Sequence, residues 1–397
     1  MKRGSALGAI AGLGMTEMSR EPIGTAPALA ARAIMLACED SGLAKADIDG
    51  LLINTGLSGA GVPLRLQLQS AMGLTDLKLL NHMDAAGSTA GQMVQYASLA
   101  IQAGICSTVA CVFADAPLQA PGQASGAVYG GARAQAQRTG FTSLEIHYGL
   151  LSANAAYALA ARRHMGLYGT TGDHLGAVAV SNRKWAAMNP AAIYRKPLTL
   201  ADYHASRWVC EPFHVLDCTL VNNGAVAIIV TSPERAKDLH QPPVNVLGMG
   251  QAHPGNPRRA GFENEVETGA RVSGETAFSM AGVGPKDVDI CQLYDCYTYT
   301  TLVSLEDYGF CKKGEGGDFV SGGRIEPGGA LPTNTGGGQL SAYYMWGMTP
   351  LSEAVIQARG QAGERQAPKR DVVLVSTQGG ILDYHSTLIL SPHASAC

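Results

Sequence analysis

Residues 26–53 read APALAARAIMLACEDSGLAKADIDGLLI, and residues 271–293 read RVSGETAFSMAGVGPKDVDICQL. Each passes from apolar residues at helical spacing, through a glycine, into an acidic loop and then an apolar run of strand character. The two align at an offset of 240 residues. Ala37, Gly42, Asp47 and Asp49 match Ala277, Gly282, Asp287 and Asp289, while Leu43 and Ile48 match Val283 and Val288. The same order recurring in register indicates an internal duplication. Two copies of such a unit predict an α/β fold of two similar halves.

The pattern continues outward. Residues 87–104 (GSTAGQMVQYASLAIQAG) read as a helix opened by glycine, followed by a buried strand over 107–113. In the second half a helix over 350–360 (PLSEAVIQARG) precedes a strand over 371–377. The polar, Pro-containing stretch 232–243 (SPERAKDLHQPP) places the boundary, dividing the chain into 1–240 and 241–397. The Ala-rich insertion 114–210 carries helical signals at 150–166 and 172–186 and reads as a loop domain over a site or a dimer interface.

Composition narrows the function. The chain has 397 residues, and only 15% are charged, against roughly 25% in a typical soluble domain. Its net charge of −3 supplies no overall basic field, which argues against nucleic acid as the main partner. No uncharged apolar stretch is long enough to span a membrane. The Gly-broken apolar run after Met1-Lys2-Arg3 reads as a buried first strand rather than a signal peptide. The nine cysteines are irregularly spaced with no CxxC pair, which excludes a zinc ribbon and argues against a disulfide framework. A reducing cytoplasm is the expected location, and the question becomes whether one thiol is a nucleophile.

Four stretches carry a family resemblance: 166–193 (GLYGTTGDHLGAVAVSNRKWAAMNPAAI), Asp217-Cys218 with 222–227 (NNGAVA), 293–316 (LYDCYTYTTLVSLEDYGFCKKGEG) and 331–367 (LPTNTGGGQLSAYYMWGMTPLSEAVIQARGQAGERQA). With them the chain resembles the thiolase superfamily, in its lipid-transfer-protein-like branch. The resemblance implies a thiolase fold, a five-layer αβαβα arrangement with a loop-domain insertion. It also implies a coenzyme A thioester substrate and a homodimer.

The departures from the family are equally informative. Thiolases place a nucleophilic Cys at the start of the first-half helix, where the positive helix end lowers its pKa. That place falls at Gly87, beside Ser88, with no cysteine within 15 residues. The second catalytic Cys would lie in Ser376-Thr377-Gln378-Gly379-Gly380, where there is again none. The family's Gly-His-Pro motif falls on Tyr343-Tyr344-Met345, and Gly347 favours Tyr344 over Tyr343 at the His place. Its Asn-Glu-Ala-Phe or His-Asp-Cys-Phe motif falls on Tyr294-Asp295-Cys296-Tyr297. Loss of both Cys with Tyr at both donor places resembles the thiolase-like aldolases that cleave side chains from steroid acyl-CoA thioesters. Those enzymes work with a small zinc-binding OB-fold partner.

A retro-aldol cleavage needs a base for a β-hydroxyl proton and a donor for the enolate oxygen. Tyr294 is the candidate base, although a phenol is a weak one unless its phenolate is stabilised. Tyr344 is the candidate oxyanion donor. The plainer alternative for each is a buried aromatic with a satisfied hydroxyl. His253 is a candidate donor or shuttle, or else a solvated loop residue. Gly87, Ser88, Asn334, Gly337, Gly338 and Gly380 are candidates for lining the substrate site. Ser88 lacks a sequence neighbour to activate it as a nucleophile. The run 334–341 (NTGGGQLS) lacks the ending of a phosphate loop and reads as close backbone approach. Arg258-Arg259 and Arg183-Lys184 are candidates for the coenzyme A phosphates, against a solvated surface; His385 reads as structural. No metal and no cofactor beyond the thioester itself is expected in this chain. Two further readings stand beside the aldolase: an atypical thiolase or acyltransferase using a remote Cys, and a non-catalytic acyl-CoA-binding subunit.

Overall fold

A computed structural model describes residues 4–56, 64–121, 147, 150, 152–254 and 266–395. In chain order its strands are β1 (Gly8–Met15), β2 (Gly50–Thr55), β3 (Leu79–His82), β4 (Thr108–Asp115), β5 (Trp208–Cys210), β6 (Phe213–His214), β7 (Gly224–Thr231), β8 (Val244–Ala252), β9 (Ile290–Leu293), β10 (Val373–Gly379) and β11 (Tyr384–Ser391). The longer helices are α1 (Ala26–Ser41), α2 (Leu64–Met72), α3 (Thr89–Gln102), α4 (Ala153–Tyr168), α5 (Gly172–Ala187), α6 (Ala270–Ala281), α7 (Thr298–Asp307) and α8 (Met348–Arg359). The main sheet runs β3-β2-β4-β7-β1-β8-β11-β10-β9. Its two halves join edge to edge where Gly8, Ala9 and Ile10 pair with Val246, Asn245 and Val244.

The two copies of the repeat fold alike. Helix α1 ends on Gly42 at φ 77°, and α6 ends on Gly282 at φ 76°, a left-handed conformation that favours glycine. The Asp47 carboxylate accepts from the Ala44 N–H at 2.8 Å, and Asp287 accepts from the Gly284 N–H at 2.8 Å. Asp49 accepts from the Thr108 N–H at 2.8 Å at the head of β4, and Asp289 accepts from the Val372 N–H at 3.0 Å beside β10. The acidic loops are therefore clamps that register each helix–strand unit against the next parallel strand.

Five layers follow from the packing. Helix α1 covers β1, β4 and β7 on one outer face. Helices α3 and α8 form the middle layer: α3 touches β4 and β7 on one side and β10 and β11 on the other. Helix α6 covers β8 and β11 on the opposite outer face. This is the thiolase arrangement. Strands such as β4 and β7 are buried along their whole length, as expected for a sheet covered on both faces. Of the insertion, α4 and α5 lie close to their expected spans, and α5 packs on α7. The remainder of 122–151 lies outside the described residues apart from isolated positions.

Candidate active site

A cavity of about 290 Å³ opens between the two halves and the insertion. Its floor is Gly87 before α3, Tyr294 between β9 and α7, Tyr344 before α8, and the Gly379-Gly380 turn after β10. One wall comes from α4 through Ala153, Asn154 and Tyr157, and another from Val209, Val215 and Cys218. Among the described residues, three of the four non-glycine residues with positive φ surround it: Ala86 (48°), Trp346 (48°) and Leu382 (62°), each beside a lining segment. Strained backbone concentrated at one place is a mark of a functional site.

The Tyr294 and Tyr344 hydroxyls face each other at 3.3 Å. Burial and their mutual proximity push the Tyr294 phenol well above its ordinary value. Burial does the same to Tyr344. Both therefore rest as neutral phenols. Tyr344 is oriented through its backbone, whose N–H donates to Asn222 Oδ1 at 2.7 Å. The Tyr294 carbonyl accepts from Thr300 Oγ1 at 3.0 Å. Tyr343 points away, its hydroxyl 2.9 Å from Ser352 Oγ.

No thiol occupies either position where a thiolase carries one. A Cβ on Gly87 would overlap Cε2 and Cζ of Tyr294 and the Gln378 carbonyl. Thr377 Oγ1 is turned into the backbone, donating to the Ser88 carbonyl at 3.1 Å. Among the described residues two thiols line the cavity, Cys218 and Cys296. Burial pushes Cys296 up to about 12 and Cys218 higher still, so neither is a thiolate near neutral pH.

The sequence candidates divide by place. Tyr294, Tyr344, Gly87 and Gly380 line the cavity. Ser88 does not: it is buried, and its Oγ accepts from Gln92 Nε2 at 3.0 Å. Asn334 and Gly338 line a separate void of about 10 Å³, room for about one water. Gly337 packs on Ala186. His253 is exposed, bonded to Gln251 Oε1 at 3.0 Å, and outside the cavity lining. Arg183 is buried, with Nε donating to Ser341 Oγ at 3.0 Å, and Lys184 pairs with Glu326 at 2.6 Å. Arg258 and Arg259 lie outside the described residues. His385 is buried against Tyr308 and Ser376, and desolvation lowers it to about 3.

Sequence reasoning missed the aromatic wall. The Tyr157 hydroxyl donates to the Gly380 carbonyl at 2.8 Å, and its ring lies 4.5 Å from that of Tyr297. The Tyr297 hydroxyl donates to Asn154 Oδ1 at 2.5 Å. It also missed Arg207, the one charged side chain among the described residues lining the cavity. Partners 223 and 143 residues apart leave no local trace in the chain. Among the described residues, no group of three or more His, Cys, Asp or Glu is arranged to hold a metal ion. No described helix is long and apolar enough to cross a membrane.

Residues 258–392 match the family described as Thiolase C-terminal domain-like. The chain is 36% identical over 379 residues to the 17-hydroxy-3-oxo-4-pregnene-20-carboxyl-CoA lyase of Mycobacterium tuberculosis, covering 94% of this chain and 96% of that protein. It is 34% identical over 388 residues to the steroid side-chain-cleaving aldolase of Thermomonospora curvata, covering 94% and 95%. Among solved structures, the Ltp2-ChsH2(DUF35) aldolase superposes with a TM-score of 0.85 at 34% identity, covering 97% of both chains.

Proposed function

The chain belongs to the thiolase superfamily, in the branch of the steroid side-chain-cleaving aldolases, and from that premise we propose that Tyr294 and Tyr344 carry its chemistry. The protein is a carbon–carbon lyase that cleaves a β-hydroxyacyl-CoA of steroid type by retro-aldol reaction. The observation that carries the assignment of residues is the pair of phenols 3.3 Å apart in a cavity with no thiol at Gly87 or Thr377.

The raised phenols constrain the route. With no resting phenolate, Tyr294 accepts the β-hydroxyl proton in concert with passing its own proton to Tyr344. Tyr344 in turn delivers its proton toward the enolate. The Cα–Cβ bond breaks, the β-carbon becomes the ring ketone, and its electron pair enters the thioester enolate. Protonation at Cα then yields a short acyl-CoA. Each phenol is neutral before and after, so burial does not oppose the cycle. Tyr344 also supplies the uncharged donor that a developing enolate oxygen needs. The aromatic wall of Tyr157, Tyr297 and Trp346 suits an apolar ring system. Arg207 is the candidate contact for the anionic coenzyme A moiety.

A homodimer and a zinc-binding OB-fold partner complete the proposal. The likeness to an aldolase solved together with a DUF35 protein supports the partner. The test is incubation with 17-hydroxy steroid-CoA thioesters, with and without such a partner, while following ketone release. Cleavage is expected. Thioester binding without turnover in both arms would favour the acyl-CoA-binding subunit instead.

A further inference from the structure

Asp295, beside Tyr294 in the chain, is entirely buried, and every hydrogen bond to it comes from a donor. Its Oδ1 accepts from the Gln339 N–H at 2.8 Å. Its Oδ2 accepts from the Leu340 N–H at 3.4 Å and from Asn182 Nδ2 at 2.5 Å. Gln339 and Leu340 belong to the short helical turn Gly338–Ala342, which leads directly to Tyr344. Asn182 lies on α5 of the insertion. A Cβ on Gly338 would overlap Asp295 Oδ2, so the turn meets the carboxylate at a distance only glycine allows there. One carboxylate thus ties the segment bearing Tyr294 to the segment bearing Tyr344, and both to the insertion.

We propose that Asp295 is the positioning residue that holds the Tyr294 and Tyr344 hydroxyls within reach of each other. It touches no substrate and acts through the two phenols, so the inference rests on the retro-aldol reading for its consequence and on geometry for its substance. The three donors favour the ionised form, in which both oxygens only accept. The surrounding titratable groups do not compete. Burial keeps the flanking Tyr294 and Cys296 neutral, and Arg183, on the same helix as Asn182, is turned to Ser341 and the Lys196 carbonyl. Burial also raises the Asp295 carboxyl to about 7, which brings its ionisation into an accessible range.

The experiment is Asp295→Asn, read by crystal structure and by steady-state kinetics. The amide must set its Nδ2 either in the place of Oδ1, against the Gln339 N–H, or in the place of Oδ2, against the Leu340 N–H and Asn182 Nδ2. The hydroxyl separation is therefore expected to open beyond about 3.5 Å. The kcat is expected to fall on the order of 10²-fold with little change in KM, the signature of misplaced reacting groups. The double variant Asp295→Asn with Asn182→Asp restores a donor–acceptor match on that side and is expected to recover part of kcat. An unchanged separation together with wild-type kcat overturns the proposal. Should Asp295→Asn fail to fold, Asn182→Ala removes one donor to the carboxylate and is expected to move the acid limb of kcat to higher pH; an unmoved limb overturns the proposal. If the wild-type chain cleaves no thioester, the retro-aldol reading fails, while the hydroxyl separation still decides the role of Asp295.

Discussion

The ring of Tyr294 fills the space that a side chain on Gly87 would need. The two positions are 207 residues apart in the chain and in contact in the fold. A thiolase carries a cysteine at the first and a smaller Asn or His at the second. Here the exchange is reciprocal: the nucleophile is deleted and an aromatic phenol takes its room.

That reciprocity makes Gly87→Cys informative. The new side chain is expected to displace Tyr294 and lower ketone release by at least about 10²-fold, as misplacement of a reacting group does. It is not expected to install acyl transfer, because Thr377 leaves no second cysteine. Mass spectrometry for an acyl-enzyme, alongside ketone assay, checks both halves.

Tyr294→Phe and Tyr344→Phe should each lower kcat on the order of 10²–10³-fold. On the proposed relay the two hydroxyls act as a unit, and the double variant should be little worse than the poorer single one. Additive losses in the double variant would show two independent roles. Full turnover in Tyr294→Phe would remove the relay altogether.

The buried thiols make a different prediction. Cys218 and Cys296 line the cavity with their ionisation suppressed by burial. Iodoacetamide at neutral pH is expected to leave turnover intact, and Cys296→Ala to retain it. Stoichiometric labelling of one cavity cysteine with loss of activity would restore the atypical-thiolase reading.

Arg207→Ala should raise KM for the coenzyme A thioester by about tenfold, the equivalent of one charge-assisted contact. The same variant should leave KM unchanged for the matching pantetheine thioester, which lacks the phosphates. An equal effect on both substrates would place Arg207 against the acyl or pantetheine portion instead.

Asp217 supplies a pH test of stability. It accepts from Tyr203, Thr298 and the His214 N–H, yet burial dominates and raises its carboxyl from 3.8 to about 6. Between those values the folded chain holds a proton that the unfolded chain has released. Its contribution is therefore most favourable below the lower value and declines as pH rises through the upper one. The Tm of Asp217→Asn relative to wild type is expected to improve from pH 4 to pH 7. A difference that is flat with pH would show that the hydrogen bonds, not burial, govern this carboxyl.

The repeat and its helix–strand order were legible because they rest on local chemistry. Apolar spacing, a glycine at each helix end and the acidic loop that follows are read from adjacent residues, and Asp47 and Asp287 each accept from the N–H three residues before. The absence of cysteine at Gly87 and near Thr377 was equally plain, since the chain itself records it. Tyr294 and Tyr344 could be singled out by their places in motifs. What only the tertiary structure decided was which groups meet. It turned Tyr344 rather than Tyr343 toward Tyr294, left His253 at the surface, and brought Tyr157 from the insertion onto Gly380. Those outcomes depend on the packing of three distant segments around one cavity. Ionisation belongs with them, because desolvation, which suppresses both the thiols and the phenols, exists only once the chain has closed around them.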